Sequence, residues 1–93
     1  MRKIQVGQYT LGFIEGDSIF TISDGRWTYA CGETVVSRGI GYPLVPAGTV
    51  GVIVSIHRPN ENGRTSDVIG VEFQAGIGFC WMKFGEVVPP RPN

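Results

Sequence analysis

The sequence predicts a small all-β domain, on three observations. Glycine is abundant, with 14 residues in a chain of 93, and six prolines accompany it. Without a collagen-like period, that composition is typical of many tight turns between short strands. Helical periodicity is nearly absent, because glycine or proline breaks each window of eleven residues that begins to show it. Short runs of β-branched and aromatic residues recur along the chain, enough for one modest core.

The first 30 residues predict an antiparallel meander. Runs rich in strand-forming residues at 8–14 and 18–22 flank Glu15-Gly16-Asp17, which reads as a hairpin turn. Asp24-Gly25 marks a second turn, and 27–30 reads as a further short strand. We expect this segment, residues 1–30, to pack as an extension on the rest of a single domain.

The second part of the chain predicts strands separated by loops of very different kinds. Residues 39–48 carry two prolines, which cannot donate to a strand ladder, and 58–66 is polar and rich in turn-forming residues. Residues 90–93 form a proline-rich tail that is expected to be flexible. In order, the predicted elements are a strand at 33–38, the irregular loop, a strand at 49–56, the polar loop, a strand at 68–73, a tight turn at 74–78, a strand at 79–84 and a closing segment at 85–88.

This order resembles the SH3-like small barrel over residues 31–89. The residues that carry the resemblance are the glycine-containing strand 48–56, Val71-Glu72-Phe73, Trp81 and Glu86-Val87-Val88-Pro89. The resemblance implies a partly open barrel in which Gly51 permits a sharp bend and Ile69, Val71 and Phe73 fill the interior. Because this fold serves many unrelated functions, it predicts architecture rather than activity.

One strand is the best candidate for a binding surface. Phe79, Trp81 and Lys83 alternate with Cys80, Met82 and Phe84, so one set faces inward and the other outward. The sequence leaves open which set is exposed, and the N-terminal extension is an alternative occupant of the outer one. An outward Phe79-Trp81-Lys83 stripe, near Tyr42 and Trp27, predicts a platform for a peptide or for bases.

The resemblance places a ligand groove between the loops at 40–47 and 58–66. The predicted binding residues are Tyr42, Arg58, Phe79, Trp81 and Lys83. We therefore expect a non-catalytic accessory or adaptor protein that binds a protein or peptide, with self-association into a homo-oligomer as an alternative.

Composition argues against several other classes of protein. The eight basic and eight acidic residues balance, and the basic ones are spread along the chain without the stripe that nucleic-acid binding requires. Polar residues from Gln5 onward interrupt any signal peptide, and no apolar run is long enough to span a bilayer. We therefore expect a cytoplasmic protein with no membrane association. In such a protein Cys31 and Cys80 are expected to be reduced, mostly buried thiols, and a disulfide between neighbouring strands is the alternative.

No pattern in the sequence indicates a catalytic residue, a metal site or a cofactor. His57 is the only histidine, no nucleophile motif accompanies it, and it reads as a surface residue. Two cysteines and one histidine are too few for a closed zinc site. The Gly-Ile-Gly runs at 39–41 and 76–78 precede no helix that could hold a phosphate, so they are read as turns.

Three further resemblances are weighed as alternatives. The type II dihydrofolate reductases are similar in size and layout and act as tetramers around one pore, but Phe79-Cys80-Trp81-Met82 stands where they have Val-Gln-Ile-Tyr. The alternatives to a binding module are therefore a small oligomeric enzyme with its site at the subunit interface and a weak nucleic-acid binder. Gly70-Val71-Glu72-Phe73 is similar to a stretch of the CAP-Gly domains, whose Gly-Lys-Asn-Asp-Gly signature is missing. Pro89-Pro90-Arg91-Pro92 fits the PxxP pattern that SH3 and WW domains bind, but we favour the simpler interpretation of a terminal segment that ends the sheet and has no partner.

Overall fold

Short strands pair into two antiparallel sheets in the computed structural model, which describes residues 2–14, 16–41, 44–59 and 68–90. The all-β prediction is confirmed. The first sheet has the order β1-β2-β3-β4, and its strands are β1 (Arg2–Val6), β2 (Tyr9–Phe13), β3 (Ile19–Ser23) and β4 (Thr28–Ala30).

The second sheet has the order β8-β7-β6-β5-β9 and curls into a half-barrel, which is compatible with an SH3-like barrel. The strands are β5 (Thr34–Ser37), β6 (Val50–Ile56), β7 (Ile69–Phe73), β8 (Gly78–Met82) and β9 (Val87–Val88). Along the chain, a 3-10 turn at Phe84–Glu86 lies between β8 and β9.

Strand β1 was not among the predicted elements. It pairs with β2 along its whole length, from Arg2 opposite Phe13 to Val6 opposite Tyr9. Its inward face consists of Val6, which is buried, and Ile4, which is partly buried against the core. Two apolar residues in alternation are too short a pattern to predict a strand. The Arg2 guanidinium lies 4.7 Å from the Phe13 ring centroid, and charged residues of this kind protect an edge strand from pairing with other chains.

The chain passes from the first sheet to the second through Cys31-Gly32-Glu33. The amide of Cys31 donates to the carbonyl of Phe20, and the amide of Gly32 donates to Ile53. The amide of Ile53 in turn donates to the carbonyl of Glu33. Gly32 has φ 93°, a left-handed conformation that glycine adopts without steric cost. These bonds hold β3 against β6 and bring the inner faces of the two sheets together.

Side chains from both sheets form one core. Leu11, Ile22 and Tyr29 of the first sheet are fully buried together with Ile53 and Val71 of the second. The prediction that Ile69, Val71 and Phe73 point inward is confirmed, since all three are buried. Core formation therefore depends on both halves of the chain.

Gly51 has a different role from the predicted one. The irregularity in the pairing of β6 with β7 lies between Ile53 and Ser55, not at Gly51. A β-carbon built on Gly51 would lie 2.5 Å from Val71 Cγ1 and 2.8 Å from Phe73 Cδ1. Glycine is required there because neighbouring core side chains occupy the space above it, not because the strand bends.

Tyr29 connects the two sheets by a buried hydrogen bond. Its hydroxyl donates to the carbonyl of Val87 at 2.8 Å, and its side chain has no exposed surface. The pKa of Tyr29 is raised to about 12, chiefly by burial and also by the Asp24 carboxylate, while the Arg38 guanidinium opposes the shift. The unfolded chain gives up the phenol proton near pH 10 and the folded protein does not. Stability that is fully present below pH 10 is therefore lost as the pH rises towards 12.

Tyr29→Phe is expected to lower the free energy of unfolding at neutral pH by about 1 kcal/mol, because the buried Val87 carbonyl loses its partner. The same variant should lose less stability than the wild type between pH 8 and pH 11, because the phenol that opposes folding at high pH is gone. Urea denaturation at the two pH values, followed by far-ultraviolet circular dichroism, measures both effects. An equal alkaline loss in the two proteins would contradict the assignment.

Candidate functional site

The structure determines which face of β8 is exposed. Met82 has no exposed surface and Phe84, just after the strand, is 5% exposed, whereas Phe79 is 45% exposed. Cys80 is half-buried against the core. Phe79, Trp81 and Lys83 therefore form the outer set, and Cys80, Met82 and Phe84 form the inner one.

Three rings make a contiguous cluster on the outside of the second sheet, which we call the aromatic surface: His57, Phe79 and Trp81. The His57 and Trp81 ring centroids are 3.9 Å apart with planes inclined by 41°. Phe79 meets Trp81 edge to face, with centroids 5.1 Å apart and an interplanar angle of 88°. The edge-to-face geometry of Phe79 and Trp81 is one in which aromatic rings attract each other. His57 contacts Trp81 from the neighbouring strand, so the three rings form one packed group.

Gly70 provides the space that these rings fill. It lies on β7 directly opposite Trp81 of β8. A β-carbon built on it would lie 2.8 Å from Phe79 Cζ and 3.0 Å from Trp81 Cζ3. The two rings therefore lie over a position with no side chain, an arrangement in which an aromatic residue compensates for a glycine in a strand. The rings cover Gly70 and still leave nearly half of Phe79 exposed.

A β-bulge brings His57 to this surface. Along β6, residues 51 and 53 point inward, and strict alternation would turn 55 and 57 inward as well. The register shift between Ile53 and Ser55 changes the alternation, so Ile56 is buried and His57 is exposed. Extra residues in a strand commonly redirect a side chain in this way. The amide of His57 donates to the carbonyl of Val68 at 2.8 Å, which fixes its backbone beside β7.

Exposed apolar residues extend the aromatic surface across β6. Val52 is 38% exposed and Val54 is 52% exposed. Glu72 of β7 lies between Val52 and Phe79 in the cross-strand register, and its side chain is exposed. The outer face of three neighbouring strands is thus largely apolar, with one carboxylate within it.

The predicted binding residues divide into three groups. Phe79 and Trp81 are together on the aromatic surface, as the sequence predicts. Arg58 and Lys83 are exposed and follow β6 and β8 at the same end of the sheet, because Ile56 pairs with Ile69 and Ile69 with Met82. Tyr42 and most of the polar loop at 58–66 lie outside the described residues, as does the tail beyond Pro90.

Trp27 is not part of the aromatic surface. It lies beside β4 in the first sheet, where it lines a different cleft with Arg26 and Arg38. The prediction that Trp27 lies near the Phe79-Trp81-Lys83 stripe is therefore wrong. The turn between β3 and β4, which carries Trp27, lines the other cleft instead.

The sequence analysis did not include His57, Gly70, Val52 or Val54 in the site. Alternation along 50–54 is a sufficient signal for the two valines once β6 is recognised. Gly70 opposite two aromatic residues could be found from the register of β7 and β8. Nothing in the sequence marks the bulge that exposes His57.

A shallow cleft of about 370 Å³ borders the aromatic surface through His57 and Val54. Its opposite wall contains Asp17 and Ile19 of the first sheet, and Cys31 lies within it. Burial raises the pKa of the Cys31 thiol, which disfavours the thiolate and with it nucleophilic reactivity. Both cysteines are free thiols, and each is half-buried.

The neighbourhood of His57 is aromatic. In the part of the chain that the structure describes, no side-chain hydrogen bond joins His57 to a carboxylate or a nucleophile, and its neighbour is the Trp81 ring. Among the same residues, no cluster of three or more histidine, cysteine, aspartate or glutamate side chains could hold a metal ion. No helix formed by the described residues has the length and apolar character needed to cross a membrane.

Comparison of the chain with known protein families, with curated proteins and with solved structures finds no match. The function must therefore be argued from the arrangement of the residues themselves.

Proposed function

We propose that the chain is a non-catalytic binding module that docks a protein or peptide partner on its aromatic surface. The observation that carries the proposal is the packing of His57, Phe79 and Trp81 over Gly70 on an otherwise exposed sheet face. Rigid aromatic side chains lose little conformational entropy on binding, and they dominate the energetics of many interfaces.

Charge around the surface suggests the kind of segment that fits it. Arg58 and Lys83 lie at one end of the sheet, and Glu72 lies farther along it. An extended segment with an apolar side chain over Phe79 and Trp81, and an acidic residue towards Arg58 and Lys83, would match both features. The proposal includes membership of the SH3-like class, which the curled half-barrel and the inward Ile69, Val71 and Phe73 support.

The test compares two variants that place a charge on an exposed apolar side chain. Phe79→Asp alters the aromatic surface, and Ile14→Asp alters a residue that directly follows β2 and is 57% exposed. Partners captured from a lysate by cross-linking to the wild type would be purified and their affinities measured by calorimetry. A partner of the proposed kind should bind Phe79→Asp at least about tenfold more weakly, which corresponds to roughly 1.4 kcal/mol.

Ile14→Asp should bind that partner as the wild type does, and thermal melts should show that both variants are folded. Equal affinity of Phe79→Asp and the wild type for every captured partner would overturn the proposal. Light scattering on the purified proteins addresses self-association: a dimer that Phe79→Asp converts to a monomer would identify the partner as a second copy of this chain.

A further inference from the structure

A second cleft lies where the two sheets meet, and it shares no residue with the aromatic surface. It has a volume of about 480 Å³, within the range that accommodates small organic ligands. The turn between β3 and β4 forms one wall, and the 3-10 turn with β9 forms the other. Tyr9 and Phe84, both buried core residues, form its apolar floor. We call it the Arg38 cleft.

Arg38 is held in this cleft by two bonds to one short turn. Its amide donates to the carbonyl of Glu86 at 3.0 Å, and its Nη1 donates to the carbonyl of Gly85 at 2.9 Å. A guanidinium carries five N–H donors in a planar fork, so this anchoring leaves donors for a ligand. Fixing the side chain in advance lowers the entropy lost when an anion binds.

The opposite wall adds a second guanidinium and an exposed indole. Arg26 lies with its guanidinium carbon 5.7 Å from the centroid of the Trp27 ring, and Trp27 is 38% exposed. The nearby Asp24 uses its Oδ1 atom to accept bonds from the amides of Arg26 and Trp27, each at 2.8 Å. That carboxylate is therefore engaged in shaping the turn.

The charge of the cleft is positive. Among the described residues that line it, Arg26 and Arg38 contribute two positive charges and Asp24 is the one acidic residue. Over the residues with described positions, the ion pair between Arg2 and Asp17 is the only salt bridge, so neither arginine of the cleft is paired with a carboxylate there. In a chain of zero net charge, this is a local concentration of unpaired positive charge beside an aromatic ring.

We propose that the Arg38 cleft binds a small organic anion in which a carboxylate or phosphate group is attached to a planar ring. The two guanidinium groups bind the oxyanion, for which their fork geometry is suited. The ring of the ligand stacks on Trp27 and covers the apolar floor. This site is independent of the proposed function, because Arg26, Trp27 and Arg38 lie outside the aromatic surface, in the β3–β4 turn and just after β5.

The experiment is a nuclear magnetic resonance titration of the full chain with phenyl phosphate. Inorganic phosphate tests the anion alone, and benzyl alcohol tests the ring alone. Phenyl phosphate should bind at least fivefold more tightly than either and should move the indole signal of Trp27 but not that of Trp81. Raising the salt concentration from 20 to about 300 mM should weaken binding, because screening acts on exposed charges.

Arg26→Gln and Arg38→Gln should each weaken phenyl phosphate binding at least fivefold, and Arg58→Gln, on the other surface, is the matched control. Arg38→Gln also removes a bond to the 3-10 turn, but the guanidinium of Arg26 bonds to no described residue, so its loss tests binding without disturbing the fold. Unchanged affinity in both variants would overturn the proposal. Benzyl alcohol binding as tightly as phenyl phosphate, or signals moving only around Trp81, would also overturn it.

Discussion

Phe84→Ala is expected to have the largest effect of any single truncation considered, lowering the free energy of unfolding by about 3–5 kcal/mol. Phe84 lies at the meeting point of the two sheets and is 5% exposed. Its ring centroid is 5.5 Å from that of Tyr9 and 4.9 Å from that of Tyr29, both in the first sheet. Small domains have a total stability of roughly 5–15 kcal/mol. The cavity left by the ring would therefore remove a large part of it.

Phe79→Ala provides a matched control, because the same substitution is made on the opposite face of the same chain segment. Phe79 is 45% exposed and rests on Gly70 and Trp81, so about 1 kcal/mol or less should be lost. Urea denaturation of the three proteins measures the difference directly. Similar losses in the two variants would contradict the assignment of β8 faces and, with it, the exposure of the aromatic surface.

The fold class followed from local features that act over a few residues. Turn glycines at 16 and 25 and β-branched runs such as 50–56 report on backbone preference within one strand or turn. They predicted most of the strands and the inward side of β7. The same signals missed β1, because this edge strand has three exposed polar side chains and only Ile4 and Val6 facing the core, and it forms by pairing with β2.

The candidate site was predictable in part for a similar reason. Alternation along β8 places Phe79 and Trp81 on one face. Deciding whether that face is the outer one requires knowing which other elements pack against the strand. That choice depends on Met82 packing into a core to which the first sheet also contributes. The bulge that exposes His57 and the cleft around Arg38 arise from contacts between segments that are distant in the chain. The sequence of a single strand does not predict such contacts.

Gly51→Ala is expected to lower the free energy of unfolding by about 2 kcal/mol. The added methyl group would lie 2.5 Å from Val71 Cγ1, 2.8 Å from Phe73 Cδ1 and 3.0 Å from the carbonyl oxygen of Glu72. Overpacking of a core costs about 1–3 kcal/mol. Val71 and Phe73 are buried and the Glu72 carbonyl belongs to the paired backbone, so none of the three can move without disturbing β7.

A glycine-to-alanine change also restricts the unfolded chain, and this favours folding by about 0.4–1 kcal/mol. Gly85→Ala isolates that term, since a β-carbon on Gly85 would meet no atom within 4 Å. Gly85→Ala should therefore be neutral or slightly stabilising, and the difference between the two variants in urea denaturation measures the steric term alone. If Gly51→Ala were as stable as Gly85→Ala, β6 and β7 could not pack as closely as the structure has them. The assignment of Val71 and Phe73 to the inner face of β7 would then be wrong. The outward position of Gly70, and with it the aromatic surface, depends on that assignment.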